Sequence, residues 1–220
     1  MAIAETDLKA DPAIVKNWVK GWALTRQVPP PVFENGAYRV EVGLPDQTRR
    51  YVFSEYSDNV RQHAEAITEP LVFLKICAPP KLVRPKLPSR WQIQSPGFMM
   101  LLDGRMRGDI AELPAGYSYQ HQVHEHMTLL NIVDSAGEMA ATGRIAFPGG
   151  LAVYDRISTH ESHRRKGLGR LIMKQLELIS HGKNVYNAAL VATPDGRALY
   201  ETLGWQLHSL YTTAVIPKPE

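Results

Sequence analysis

A chain of 220 residues with 44% hydrophobic and 21% charged side chains has the composition of an ordinary globular protein, enough for one large domain or two small ones. Its net charge of +3 is too slight for a strong field toward nucleic acid or a membrane, though a basic balance suits an anionic ligand. The single cysteine, Cys77, excludes an intrachain disulfide and suits a reducing compartment. Met1 to Asp11 is polar and acidic where a secretory leader is basic and then apolar, and no apolar run approaches the ~20 residues that span a bilayer, so a cytoplasmic location is expected.

In chain order, Asp11-Pro12 predicts a helix start, with Asp11 as cap and Pro12 in the first turn. Ile14, Val15, Trp18, Val19 and Trp22 then recur on one helical face. Pro29-Pro30-Pro31 ends that segment. Tyr38–Val42 and Arg50–Ser54 read as antiparallel strands across a turn at 43–47. Ser57–Ile67 reads as a helix capped by Ser57 or Asp58, and Pro70–Cys77 as a buried strand that makes Cys77 a packed thiol rather than a nucleophile. Prolines 79, 80, 85 and 88 mark a loop or short helical turns before a strand over 96–102. No catalytic constellation stands out in residues 1–110. Their strand–strand–helix–strand order faintly repeats in the second half.

In residues 111–220, Tyr117–Val123, Met127–Val133 and Glu138–Phe147 read as successive strands, the last two joined by the turn Asp134-Ser135-Ala136-Gly137. A fourth strand runs from Gly150 to Thr159. It leads into His163-Arg164-Arg165-Lys166-Gly167-Leu168-Gly169-Arg170, which is basic, carries two glycines one residue apart, and opens a helix over 167–180. A helix N-terminus presents unpaired amides and a positive dipole end, and glycine lets the backbone approach an anion closely. The turn therefore reads as a phosphate cradle, although it matches neither the dinucleotide fingerprint nor a P-loop. A strand over 187–192, a helix over 195–203 and a final strand pair, 205–208 and 209–216, complete the half.

Arg164-Arg165-Lys166-Gly167-Leu168-Gly169 resembles the Arg/Gln-x-x-Gly-x-Gly/Ala turn of the GNAT (GCN5-related N-acetyltransferase) superfamily. Ala198-Leu199-Tyr200-Glu201-Thr202-Leu203-Gly204-Trp205 is similar to its Leu-Tyr-x-x-x-Gly-Phe/Trp element. The resemblance covers residues 116–216. It implies an α/β (α+β) fold with a mixed, mostly antiparallel sheet flanked by helices, and an acetyl-CoA-binding core over 111–220. Residues 1–110 would be a separate α/β extension or a degenerate GNAT-like half. It further implies acetyl-CoA as the acyl donor and an amine as acceptor, with no metal, nucleic acid or membrane partner; a homodimer is allowed.

By the same resemblance, Ile157, Ser158 and Thr159 would pair with the pantetheine arm, and the amides from Arg165 to Arg170 would hold the pyrophosphate, with Arg164, Lys166 and Leu168 in the same turn. Thr193 falls where many members carry an asparagine. Tyr200 would protonate the departing thiolate. Glu125, His124, His126 or Asp155 could take the amine's proton, and Glu125 is the candidate base. His121, His124 and His126 lack a carboxylate or cysteine at metal-site spacing. The family also places two helices between its first two core strands, whereas here only His124-Glu125-His126 separates Val123 from Met127. Either the first strand lies elsewhere or the N-terminal half supplies that wall. Three further readings stay open: a non-catalytic acyl-CoA-binding module, a transferase of a longer acyl group, and a nucleic-acid-binding protein that uses the basic turn.

Overall fold

The computed structural model describes residues 4–218; the first residues of the leader expectation, 1–3, lie outside them. Asp11 caps helix α1 (Pro12–Arg26) as its side chain predicts, accepting the Ala13 amide at 2.7 Å. Gln27, in the left-handed region at φ 56°, ends it. The strands and helix of the N-terminal half follow: β1 (Val32–Glu34), β2 (Ala37–Leu44), β3 (Gln47–Phe53), α2 (Asp58–Ala66) and β4 (Val72–Ile76). Ser57 occupies the cap position of α2 without a side-chain hydrogen bond. The proline-rich segment folds as α3 (Pro80–Val83) and a short 3-10 turn, then β5 (Gln92–Ile93) and β6 (Gly97–Asp103).

The C-terminal half runs β7 (Tyr117–Val123), β8 (Met127–Asp134), β9 (Met139–Ala146), β10 (Ala152–Thr159), α4 (Leu168–Gly182), β11 (Asn187–Ala192), α5 (Pro194–Thr202) and β12 (Gln206–Val215). The expected final strand pair is therefore one strand. Its pairing with β6 shifts register between Leu207 and Ser209, and such an irregularity resets the inside–outside alternation. The short strands β1 and β5 were not expected.

The strands form one sheet in the order β1-β2-β3-β4-β12-β6-β11-β10-β9-β8-β7, with β5 beside β12. The order mirrors itself about the antiparallel β12–β6 pair. On one side β2, β3 and β4 are joined antiparallel then parallel, with α2 in the crossover; on the other β9, β10 and β11 repeat that pattern around α4. The last strand of each half lies in the other half: β6 pairs with β11, and β12 with β4. Neither half closes its own sheet.

Three apolar clusters fill the fold. One lies under α4 and α5 and includes Ile172, Leu176, Leu190 and Trp205. One packs α1 on the opposite face through Trp18, Val19 and Trp22 against Val153, Met99 and Tyr211. The third supports α2 through Val60 and Ala64, with Trp91 and Leu74. Helix α1 sits close on β10, for a Cβ on Gly21 would lie 2.5 Å from Val153. This helix also packs against β8 and β9 and lines a cavity with residues of the tight β7–β8 turn.

Candidate active site

Strands β10 and β11 start as parallel neighbours and then separate. They pair only at Ala152–Ala188 and Val153–Ala189. Beyond that point β10 is irregular between Asp155 and Ser158, with Arg156 at φ 52°, while β11 stays paired to β6 through Ala192. The bulge bends β10 away and opens a cleft of about 540 Å³. Ile157, Ser158 and Thr159 line one wall, Val191 and Ala192 the other, and Tyr200, Arg164 and Gly169 face the same space. In the mirrored half no such gap exists, because β3 and β4 stay paired from Arg49–Val72 to Phe53–Ile76.

The basic turn closes one end of the cleft. Arg165 (φ 61°) and Gly167 (φ 77°) adopt left-handed conformations that bring the chain into α4, whose first capping bond is Leu171 N–H to Gly167 O at 3.1 Å. Among the described residues, the amides from Arg165 to Arg170 donate to no backbone acceptor outside the helix. Such free amides at a helix start favour an anion. Gly169 leaves room: a Cβ there would stand 3.4 Å from Leu199 and 3.5 Å from Thr159 Oγ1.

Three of the four bases of the turn take different directions. Arg164 faces the cleft, with Nε 3.5 Å from the Thr159 carbonyl. Lys166 donates to Tyr117 Oη at 2.9 Å, and that hydroxyl also bonds His163 Nδ1 at 2.8 Å, which ties the turn to β7. Arg170 donates to Thr202 Oγ1 at 3.2 Å, joining α4 to α5. The middle of α4 is fixed by a buried pair. Lys174 donates to Glu177 at 3.1 Å and to the Met106 carbonyl at 2.8 Å, and Glu177 accepts the Met106 amide. Breaking such a pair from one side costs about 3–5 kcal/mol, because the partner is left charged and buried.

Tyr200 is buried at the inner side of the cleft, on α5. Burial, with the charge of Asp155 acting the same way, raises its phenol to about 12. It stays protonated throughout the neutral range, so it can donate a hydrogen bond but does not serve as a phenolate base. Thr193 also lines the cleft, but its hydroxyl caps α5 by accepting the Gly196 amide at 3.2 Å.

The expected base is not brought here. Glu125 is exposed in the β7–β8 turn and, with His124 and His126, lines a separate cavity of about 730 Å³ beside Leu24 and Pro30. Two carboxylates line the cleft, Asp155 and the exposed Asp195; Asp155 accepts from Arg26 Nε at 2.8 Å, Arg26 Nη2 at 3.0 Å and Thr25 at 3.1 Å. Among the described residues, no group of three His, Cys, Asp or Glu side chains is placed to hold a metal ion, and no helix is long and apolar enough to cross a membrane. Burial pushes the Cys77 thiol up, so it is no nucleophile.

Sequence reasoning missed Arg26, which reaches the cleft from the end of α1, and two basic side chains near it, buried Arg50 and half-buried Lys75. The available signal was Lys75, a lone charge inside the apolar run Leu71–Cys77.

Residues 126–207 match the family model described as "Acetyltransferase (GNAT) domain". No curated protein matches the sequence. Among solved structures, a GCN5-related N-acetyltransferase from Kribbella flavida aligns over 94% of this chain and 96% of its own, at 14% identity and a TM-score of 0.65. One from Sphaerobacter thermophilus aligns over 84% and 78%, at 11% identity and a TM-score of 0.61. A tandem GNAT protein from the clavulanic acid biosynthesis pathway aligns over 84% and 79%, at 15% identity and a TM-score of 0.55. At such identities the likeness is one of fold.

Proposed function

We propose that this chain, whose C-terminal half is a GNAT-superfamily acetyltransferase domain, moves an acetyl group from acetyl-CoA to an amine by direct attack. The observation that carries the reading is the cleft between β10 and β11, with free amides at its mouth and a protonated phenol inside. In this reading the amides from Arg165 to Arg170, with Arg164, hold the pyrophosphate. The unpaired edge at Ile157, Ser158 and Thr159 takes the pantetheine arm. Thr193 contributes by capping α5 beside the arm.

The amine nitrogen forms a bond to the acetyl carbon, the carbon–sulfur bond breaks, and the amine loses a proton as sulfur gains one. Tyr200 is the hydrogen-bond donor to sulfur. Its buried phenol is a weaker acid than an ordinary thiol, at about 8.5, so it acts by hydrogen-bonding the sulfur as charge develops there, and the departing thiolate takes up a proton from water, balancing the one the amine releases. Glu125 keeps no part in this scheme. The amine's proton passes to water or to Asp155, a half-buried carboxylate of the cleft. No enzyme nucleophile is required when both substrates are held together.

The N-terminal half, in the same reading, is a degenerate GNAT-like half that holds no cofactor. Its support is the mirrored strand order, together with the closed β3–β4 pair and the lack of a glycine-rich turn before α2.

Acetyl-CoA-dependent thiol release, measured for wild type and Tyr200→Phe over a panel of amines, tests the chemistry. The variant should turn over about 100-fold more slowly with unchanged acetyl-CoA affinity. Turnover equal to wild type would place the donor elsewhere, and binding without turnover on any amine would favour an acyl-CoA-binding module.

A further inference from the structure

The strand exchange builds a second cavity next to the cleft. With β12 inserted beside β4, Lys75 comes to lie against Thr213, its Nζ donating to Oγ1 at 3.0 Å. Lys75, Thr213 and Tyr211, with Gly97 at the start of β6, line a space of about 430 Å³. Val191, Ala192, Thr193 and Asp195 line both this space and the cleft, so the two adjoin across the end of β11.

The chemistry beneath this cavity is one-sided. Arg50 is buried and stacks on Trp22, its guanidinium carbon 3.5 Å from the ring centroid, and Arg26 stands 4.7 Å from the same ring. Arg50 donates through Nη2 to Gln47 at 2.7 Å, but its Nε has no partner. The Tyr211 hydroxyl, sealed from solvent, has none either. Burial brings Arg50 down only to about 10, so it remains a cation at neutral pH. Burial, then the charges of Arg50 and Arg26, hold Lys75 well below the usual lysine range. Asp155 is the carboxylate whose charge acts on Arg50, and it is already bonded to Arg26. Asp195, the other acid at hand, is exposed at the rim.

An anion in the cavity would favour the charged form of Lys75, which lines it, and would offset the buried Arg50 cation behind it. A lysine kept only to fill this space would be served as well by methionine. We propose that this cavity is the acceptor subsite and receives an oxyanion of the acceptor, so that the amine substrate also carries a carboxylate or a phosphate. The inference rests on the acetyltransferase reading above. The anion sits toward Lys75 and Thr213, and the amine end passes Val191 into the cleft. A neutral acceptor of the same size would offer Lys75 no counter-charge.

The test uses the full chain in the presence of CoA and reads tryptophan fluorescence. Trp22 lies against Arg50, and Trp18 lies edge-on to Tyr211 with ring centroids 5.5 Å apart, so both report on the site. The probes are N-acetylglycine, its neutral isostere N-acetylglycinamide, and inorganic phosphate. At least one anion should bind the wild type roughly tenfold or more tightly than the amide, and Lys75→Met should close that gap. A carboxylate preference points to an amino-acid-like acceptor, a phosphate preference to a phosphorylated amine. Equal binding of anions and amide, no binding of any probe, or a gap that survives Lys75→Met overturns the proposal. The comparison within wild type stands even if the variant misfolds. A parallel acetyl-CoA titration separates the two claims: if acetyl-CoA binds while anions are not selected, the subsite alone fails; if acetyl-CoA does not bind, the reading beneath it fails.

Discussion

At the residue scale, the two glycines of the basic turn do different work. Gly167 sits at φ 77°, and a Cβ added there would meet nothing within 4 Å, so its requirement is conformational. Gly169 has ordinary backbone geometry, and its missing side chain keeps the cleft open beside Thr159. Gly167→Ala should therefore lower stability by about 1 kcal/mol through backbone strain alone. Gly169→Ala should leave stability nearly unchanged and weaken acetyl-CoA binding. Thermal unfolding together with a binding titration distinguishes them, and equal stability losses in both would refute the division. This turn was legible in the sequence because its signals are local: three bases, two glycines and a helical repeat stand within about fifteen residues. The acceptor-side cations were not. Arg26, Arg50 and Lys75 are far apart in the chain and belong to α1, β3 and β4, and only tertiary packing puts them in one field.

At the element scale, both local irregularities shaped what could be read. The bulge in β10 makes the cleft, yet the run Ala152–Thr159 reads simply as a strand, since a bulge changes pairing without changing residue type. The irregularity in β12 had the reverse effect. It flips the alternation near His208, so one ten-residue strand read as two short ones. Helix α1 was legible from its cap and apolar face, but its destination was not. Its two tryptophans pack on strands of both halves, reaching Val153 of β10 and Val52 of β3 within one cluster. Nothing in a helical repeat says which sheet face it will cover.

At the scale of the whole molecule, the exchange of β6 and β12 makes the two halves interdependent, which the repeated element order of the sequence does not reveal. Removing either half exposes a long strand edge and strips α1 or the β12 partner from the core. Residues 1–110 and 111–220 made separately should each lack cooperative unfolding and associate or precipitate, whereas together they should restore it. Circular dichroism melts of the pieces and of the mixture decide this, and a stable monomeric fold for either piece alone would contradict it. The molecule thus keeps one open cleft, between β10 and β11, while its mirror counterpart between β3 and β4 is zipped shut.

Calorimetric titration of acetyl-CoA into the wild-type chain and into Gly169→Asp addresses that asymmetry and the cradle together. The predicted result is a single saturable site per chain that disappears in the variant while its circular dichroism spectrum is kept, since a carboxylate there would crowd and repel the pyrophosphate. Two sites per chain, no site, or unchanged affinity in Gly169→Asp would contradict it.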